Sequence, residues 1–448
     1  MKTKAHKNLV KGIAVTGALL FAGAVQAAGF AIIEQSVKGL GNAYAGGSAV
    51  AEDASTIFFN PAGLTRLQGQ QLLVGGYIIA PVADFKNQGS TNAIGGQPTG
   101  RTQSSGGVTA PLANVFYSVD INEKLWFGLG IFAPFALSTK YDSDWIGRYN
   151  AIDSEIKTFN INPTLAYRVN DQLSIGAGVS AEYIDVKLTQ AVDFGTLAFL
   201  SRARGASPST PLLDGFSEVK GTDWGYGFNL GLLYEIDPDT RLGIAYRSSI
   251  ANTLTGDNNL SVPAVLVRAF GPSRTRGVTA DATLPEIASV SGYRKLNEQW
   301  ALMADVTWTR WSQFNELRIK FDDGSESVQP EDWQNTWRYS LGLNYYYTPA
   351  WTLRAGIAYD QTPVPSAERR TPRIPDNSRR WIALGASYQP SPNFSFDFGY
   401  AHLFINNPQI DDTEITTGAL AGLPIGSTLR GEYEAHVDIV GAQVQWNF

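Results

Sequence analysis

From Gln70 to Phe448 the chain repeats segments in which apolar residues fall on every second position. In one of them Trp224, Tyr226, Phe228, Leu230, Leu232, Tyr234 and Ile236 alternate with Gly225, Gly227, Asn229, Gly231 and Glu235. Such alternation predicts a strand with one greasy face and one small or polar face. It recurs in Phe394, Phe396, Phe398 and Tyr400 against Ser395, Asp397 and Gly399, and again in Val440, Ala442, Val444, Trp446 and Phe448 against Gly441, Gln443, Gln445 and Asn447. Soluble sandwiches alternate too, so the connections decide. About fourteen strand-like segments can be drawn: 70–84, 109–121, 124–138, 155–169, 172–190, 222–236, 241–257, 279–295, 299–322, 335–348, 351–361, 379–389, 393–407 and 433–448. Short turns near Asn122 and at Asn170-Asp171, Asp237–Thr240, Asn297-Glu298, Thr348–Ala350 and Pro390–Asn393 alternate with long stretches at 191–221, 258–278 and 408–432. An all-β, transmembrane, antiparallel up-and-down β-barrel has this rhythm, with tight periplasmic turns, long external loops and both termini on the periplasmic side. Trp300, Tyr345-Tyr346-Tyr347, Trp351 and Trp446, near strand ends, suit interfacial girdles.

The start of the chain does not join the pattern. Lys2, Lys4, Lys7 and Lys11 precede an apolar run, Gly12 to Ala24, that ends at Val25-Gln26-Ala27. A charged start, a short apolar core and small residues before a cut predict a signal peptide over 1–27. Residues 28–69 carry small-residue clusters without a strand period, which predicts an N-terminal plug inside a barrel formed by 70–448.

Composition narrows the chemistry. The chain has no Cys, which removes disulfides, thiolate metal sites and cysteine nucleophiles. Loss of four leader lysines takes the formal charge from −6 to −10, and with neither basic stripe nor phosphate-binding fingerprint no nucleic-acid partner is expected. No cofactor and no metal are expected; Asp411, Asp412 and Glu414 hint at calcium, but oxygen ligands need a turn that converges them. His402 and His436 are the histidines left to a lipid hydrolase, a rival that needs a nucleophile beside a base. Ala133-Pro134 falls inside the third strand-like segment, where proline removes a ladder donor. It either interrupts the wall or begins an external loop.

Gly39-Leu40-Gly41-Asn42-Ala43-Tyr44-Ala45-Gly46, Ala51-Glu52-Asp53-Ala54 and Asn60-Pro61-Ala62, after an Ala28-Gly29-Phe30 start, resemble the FadL family of outer-membrane long-chain fatty-acid transporters. The resemblance continues through Trp224–Gly227, Tyr246-Arg247-Ser248, Leu284-Pro285-Glu286, Trp311–Phe314 and Ile374-Pro375-Asp376. It implies a barrel of 14 strands with an N-terminal hatch, a bacterial outer-membrane location and sideways exit of cargo through the wall. Asn60, Pro61 and Ala62 are then expected beside a kink at Ala133 and Pro134. Apolar side chains in loops facing water mark a binding patch: Val192, Phe194, Leu197, Phe199 and Leu200 in one loop, Val262, Val265, Leu266, Val267 and Phe270 in the other. The family's inner pocket is lined by the hatch N-terminus, here Phe30. Its head-group cations fall on Gln190 and Gln329, with Lys187 and Arg318 nearby. The expected partner is a long-chain fatty acid carried passively, or a neutral or aromatic hydrocarbon if the pocket lacks a cation. Outer-membrane lipid and lipopolysaccharide are the expected surroundings; Arg369, Arg370, Arg373, Arg379 and Arg380, around one loop, are available to lipopolysaccharide, cargo or surface acids. A closed barrel without a free edge is expected to be a monomer.

Overall fold

The greasy faces turn outward. In the computed structural model, which describes residues 29–203, 205–415 and 426–448, Trp224, Tyr226 and Phe228 are exposed while Gly225 and Asn229 are buried. The expected leader, Met1–Ala27, lies outside the described residues. Fourteen barrel strands follow one another. They are Gln70–Asn87, Ala110–Asn122, Leu125–Phe132 continued by Ala136–Lys140, Asp153–Arg168, Leu173–Val192, Gly215–Asp237, Thr240–Arg247 continued by Ile250–Ser261, Arg274–Leu284 continued by Ile287–Lys295, Trp300–Thr309 continued by Glu316–Phe321, Glu326–Pro330 continued by Thr336–Thr348, Trp351–Asp360, Arg379–Ser391, Phe394–Ile405 and Gly426–Asn447. The first closes on the last, antiparallel, from Gln71 opposite Asn447 to Asn87 opposite Gly431. Closure leaves the wall no free edge, as a bilayer requires.

Several strands run past the expected ends. The sixth begins at Gly215, the seventh runs to Ser261 and the eighth begins at Arg274, so the loops expected at 191–221 and 258–278 shrink to 193–214 and 262–273. Beyond the membrane the rule for the apolar face inverts. In the fifth strand Ile175 and Val179 face outward and Ser174, Ser180 and Glu182 inward; farther along, Ile184 and Leu188 are the buried side chains and Lys187 lies on the other face. Lipid outside and polar contacts within set the first arrangement; water outside sets the second.

Residues after Gly29 pack against the inward faces of the wall as α1 (Val37–Gly41), α2 (Gly47–Val50), α3 (Thr56–Phe59) and a 3-10 turn, Pro61–Arg66. Ser36 caps α1 by accepting from the Gly39 N–H at 3.1 Å, and Asn60 caps the 3-10 turn by accepting from the Ala62 N–H at 3.0 Å. Pro61 follows that cap, where no N–H is needed. The wall makes room with glycine. A Cβ on Gly231 of the sixth strand would lie 2.0 Å from Asn60 Oδ1, and one on Gly176 of the fifth 2.4 Å from the Ala62 nitrogen.

Candidate cargo path

The third strand is broken at Ala133-Pro134-Phe135. Its pairing with the second strand ends at Val115 opposite Ile131, and past the break a lone bridge joins Thr139 to Gly107, ahead of that strand. On the other side Thr158 spans the break, its hydroxyl accepting from the Phe135 N–H at 3.1 Å and donating to the Phe135 carbonyl at 2.6 Å. From inside, the N-terminal segment binds the bend through a single antiparallel bridge, Ala31 opposite Phe135. Ile32 donates to the Pro134 carbonyl at 2.8 Å, Ala136 donates to the Phe30 carbonyl at 2.9 Å, and the Gln35 side chain donates to the Ala133 carbonyl at 2.8 Å. Asn60 is elsewhere: its amide donates to Ser48 at 2.6 Å and to Leu232 at 3.0 Å. The expected meeting of Asn60-Pro61-Ala62 with Ala133-Pro134 is therefore corrected. Pro61 and Pro134 line one cavity, but the backbone bonds to the bend come from Phe30 and Ile32 because the missing ladder there asks for an extended partner, and 61–66 are helical.

That cavity, of about 110 Å³, lies between the N-terminal segment and the wall. Ile33, Phe58, Trp311 and Trp381 give it apolar sides, and Arg247, Arg338 and Asp360 polar ones. Arg338 donates to the Ala43 carbonyl at 2.7 Å, while its Nε and Nη1 have no hydrogen-bond partner among the described residues. Phe30 sits beside this space in an aromatic cage, with ring centres 4.8 Å from Trp311, 5.8 Å from Phe314 and Trp333, and 6.1 Å from Phe135. Edge-to-face geometry of this kind adds to the stabilisation from burial.

A larger cavity, about 730 Å³, opens between the loops 193–214 and 262–273. Val192, Phe194, Leu197, Val262 and Phe270 line it. Leu266 and Val267 pack in the same cluster without lining it, and Phe199, Leu200 and Val265 face out. Phe194 opens α4 (Phe194–Leu200), held by Asp193, which accepts from the Thr196 N–H at 2.8 Å; Phe270 ends α5 (Val267–Phe270), and the two rings lie 5.1 Å apart. Gln190, Ser217, Val219, Ile319 and Ser327 are shared with a second space of about 50 Å³, which also touches Gln329, Arg373 and Asp412.

The inner-pocket residues expected from the sequence are not brought together. Lys187 is on the outward face, paired with Asp153 at 2.7 Å. Arg318 also faces out, between Glu316 at 2.6 Å and Glu326. Both sit where strands stand in water, so charge goes outward and the apolar neighbours Leu188 and Ile319 go inward. Gln190 and Gln329 do face one space, away from the Phe30 cage. The cation beside them is Arg373, which donates to Gln190 Oε1 at 2.6 Å and to Ser154 Oγ at 3.0 Å. By sequence Arg373 is one of five loop arginines, and nothing marks it out. Here they separate: Arg369 pairs with Asp332 at 2.7 Å, Arg370 donates to the Asp376 carbonyl at 2.8 Å, Arg379 pairs with Asp376, and Arg380 is exposed.

Two acids stand near Arg373. Burial pushes the Glu331 carboxyl up to about 8, helped by the charge of Asp412 and opposed by the Trp333 N–H at 3.0 Å and by Arg373. Burial pushes Asp412 up to about 6 against the Asn150 amide at 2.9 Å and Arg373. Strand alternation sends Asp411 the other way, to Arg430 at 2.8 Å, so these carboxylates do not converge; the Glu414 side chain lies outside the described residues. His402 and His436 stack 5.6 Å apart on the outer wall, with Asp438 2.8 Å from His402 Nδ1. They meet because neighbouring strands place both on one face.

A family model described as outer membrane protein transport protein (OMPP1/FadL/TodX) matches residues 18–448. A long-chain fatty acid transport protein of Escherichia coli O6:H1 is 32% identical over 395 residues, 84% of this chain and 86% of the relative. Among solved structures, a Pseudomonas aeruginosa FadL homologue superposes with a TM-score of 0.84 at 27% identity, covering 94% of this chain and all (100%) of that one. The Ralstonia pickettii toluene transporter shares the fold, with a TM-score of 0.63 at 22% identity over 91% of this chain and 99% of the other.

Proposed function

This chain belongs to the OMPP1/FadL/TodX family of outer-membrane transport proteins, and on that premise we propose that its cargo is a long-chain fatty acid, moved passively from the loop groove past Arg373 into the inner cavity and out beside Pro134. Relatives of 31–32% identity are long-chain fatty acid transport proteins. The observation that carries the finer reading is Arg373, a loop cation held by Gln190 where the groove meets the interior. Apolar walls let the alkyl chain leave water at about 0.8 kcal/mol per methylene. The carboxylate needs donors when it is desolvated. Arg373 supplies them at the groove floor, and Arg338, with unpartnered N–H groups, supplies them in the cavity beyond. The hatch, residues 29–69, closes the wall by holding the third-strand bend; displacement of Phe30 and Ile32 removes those bonds and opens the way into the bilayer. Long-range energy coupling is not part of this reading, since each step runs down the cargo gradient.

The aromatic cage around Phe30 favours a second reading, an aromatic hydrocarbon as cargo, and one measurement separates the two. Purified protein is titrated with oleate and with methyl oleate, before and after Arg373→Gln. A hydrogen bond to a charged group contributes about 1.5–3 kcal/mol, so oleate should bind roughly 10- to 100-fold more weakly to the variant, whereas methyl oleate should change little. Equal losses for the two ligands, or none for oleate, would contradict the carboxylate reading; tighter binding of toluene than of oleate to the unaltered protein would favour hydrocarbon.

A further inference from the structure

The break in the third strand is not the only place where the wall loses its ladder. Between the sixth and seventh strands pairing runs from Asn229 opposite Arg247 downward, and from Thr222 opposite Thr255 upward. Asp223–Phe228 on one side and Ser248–Leu254 on the other have no ladder partner across this seam. Ile250–Leu254 remain paired only with the eighth strand. Isolated bonds stand in for the ladder: Ser248 N–H to the Phe228 carbonyl at 2.9 Å, Phe228 N–H to Ser248 Oγ at 2.9 Å, and Thr253 N–H to Asp223 Oδ2 at 2.6 Å. Backbone left unpaired against hydrocarbon is costly, and here it faces a lipid-side surface of Trp224, Tyr226 and Phe228.

Behind the seam Gly225 and Gly227 offer no side chains, and Ile250 fills most of the space above them: a Cβ on Gly225 would lie 2.3 Å from Ile250 Cγ2, and one on Gly227 2.8 Å from both Ile250 Cγ1 and Ser248 Oγ. Asn252 covers the rest, its Oδ1 buried without a hydrogen-bond partner. Ile250 belongs to the same apolar cluster as Phe30, Phe135 and Trp311, and Trp311 lines the inner cavity, so a continuous apolar packing joins this seam to the cavity behind the third-strand break.

We propose that the seam between the sixth and seventh strands is a second lateral doorway, stoppered by Ile250, through which aliphatic cargo exchanges between the inner cavity beside Phe30 and the outer leaflet. Rotation of Ile250 and of Asn252 beside it clears the seam, with no movement of the N-terminal segment. The proposal rests on the reading that cargo crosses the barrel wall, and adds a site to it.

Uptake of labelled oleate by cells carrying equal amounts of inserted protein tests both. Ala133→Arg places a charge in the third-strand gap and should lower uptake without abolishing it. Adding Ile250→Trp should remove the remainder, and adding Ile250→Ala instead should raise it. If the Ala133→Arg level is unchanged by both Ile250 variants, the doorway is wrong. If Ala133→Arg alone has no effect, the third-strand exit is wrong, and Ile250→Trp alone then decides the seam: lost uptake supports it, normal uptake overturns it. Oleate binding in detergent checks that Ile250→Trp leaves the inner cavity intact. A diazirine-bearing oleate gives an independent readout, with adducts expected on the exposed Tyr226 and Ala251 that disappear in Ile250→Trp; adducts that persist there count against the doorway.

Discussion

Gly231→Val should leave the barrel inserted and dislodge the N-terminal segment from its wall. The Cβ would stand 2.0 Å from Asn60 Oδ1 and 2.8 Å from Pro61 Cδ, and neither side chain can swing away. Asn60 is fixed three ways, to Ser48, Leu232 and Ala62. Overpacking of this kind typically costs about 1–3 kcal/mol, and each hydrogen bond lost adds about 0.5–1.5 kcal/mol. The outer wall is untouched, because Gly231 faces in and the sixth strand keeps its ladder to the fifth through Gly176. Heat-modifiable migration on SDS gels should therefore be that of a folded barrel. Trypsin should cut after Arg66, which is protected in the parent, and planar bilayers should show a conductance that the parent lacks. Parental protease resistance with no conductance would mean that the wall yields and the segment does not.

Oleate affinity should fall as pH rises from 6 to 9. Burial raises the Glu331 carboxyl to about 8 and Asp412 to about 6. A carboxyl raised in the folded chain holds its proton more tightly there than in the unfolded chain. Its contribution to stability is present at low pH and is lost as pH climbs from the ordinary carboxyl range through the raised value. For Asp412 that window closes near pH 6, and for Glu331 near pH 8. Each ionisation puts a carboxylate near Arg373, where it competes with the cargo head group. About 1.4 kcal/mol of competition corresponds to a tenfold change in Kd, and that is the weakening expected for oleate over this interval. Methyl oleate should show no such slope. Glu331→Gln cannot ionise and should flatten the upper half of the curve; an unchanged slope in that variant would remove Glu331 from the explanation. Trp333 fluorescence should report the same transition, since its indole N–H is bonded to Glu331.

Much of this was legible in the sequence, and the reason is bilayer physics. Trp224, Tyr226 and Phe228 had to face hydrocarbon, so period-two alternation survives in them undiluted, and each expected strand segment has its counterpart in the wall. Pro134 marked the third-strand break because proline cannot donate to a ladder. The Ile250 seam carries no such mark: Gly225 and Gly227 read as ordinary small residues of an inner face. The Phe30 cage was visible at one end only. Its partners Trp311 and Trp333 stand in distant segments, and no local pattern joins them to the N-terminus.

By itself the sequence determined the barrel, its up-and-down order and the greasy outer belt, all of which depend on alternation and turn length. Only the tertiary structure decided which charges look inward. Inside the bilayer apolar side chains face out; where the same strand rises into water the preference inverts, so Lys187 leaves the lumen while Ile184 and Leu188 enter it. The cation at Gln190 comes instead from Arg373, on a loop more than 180 residues away (|i−j| = 183). Closure of the barrel brings that loop over the lumen, and an arginine on it can then meet a glutamine of the fifth strand.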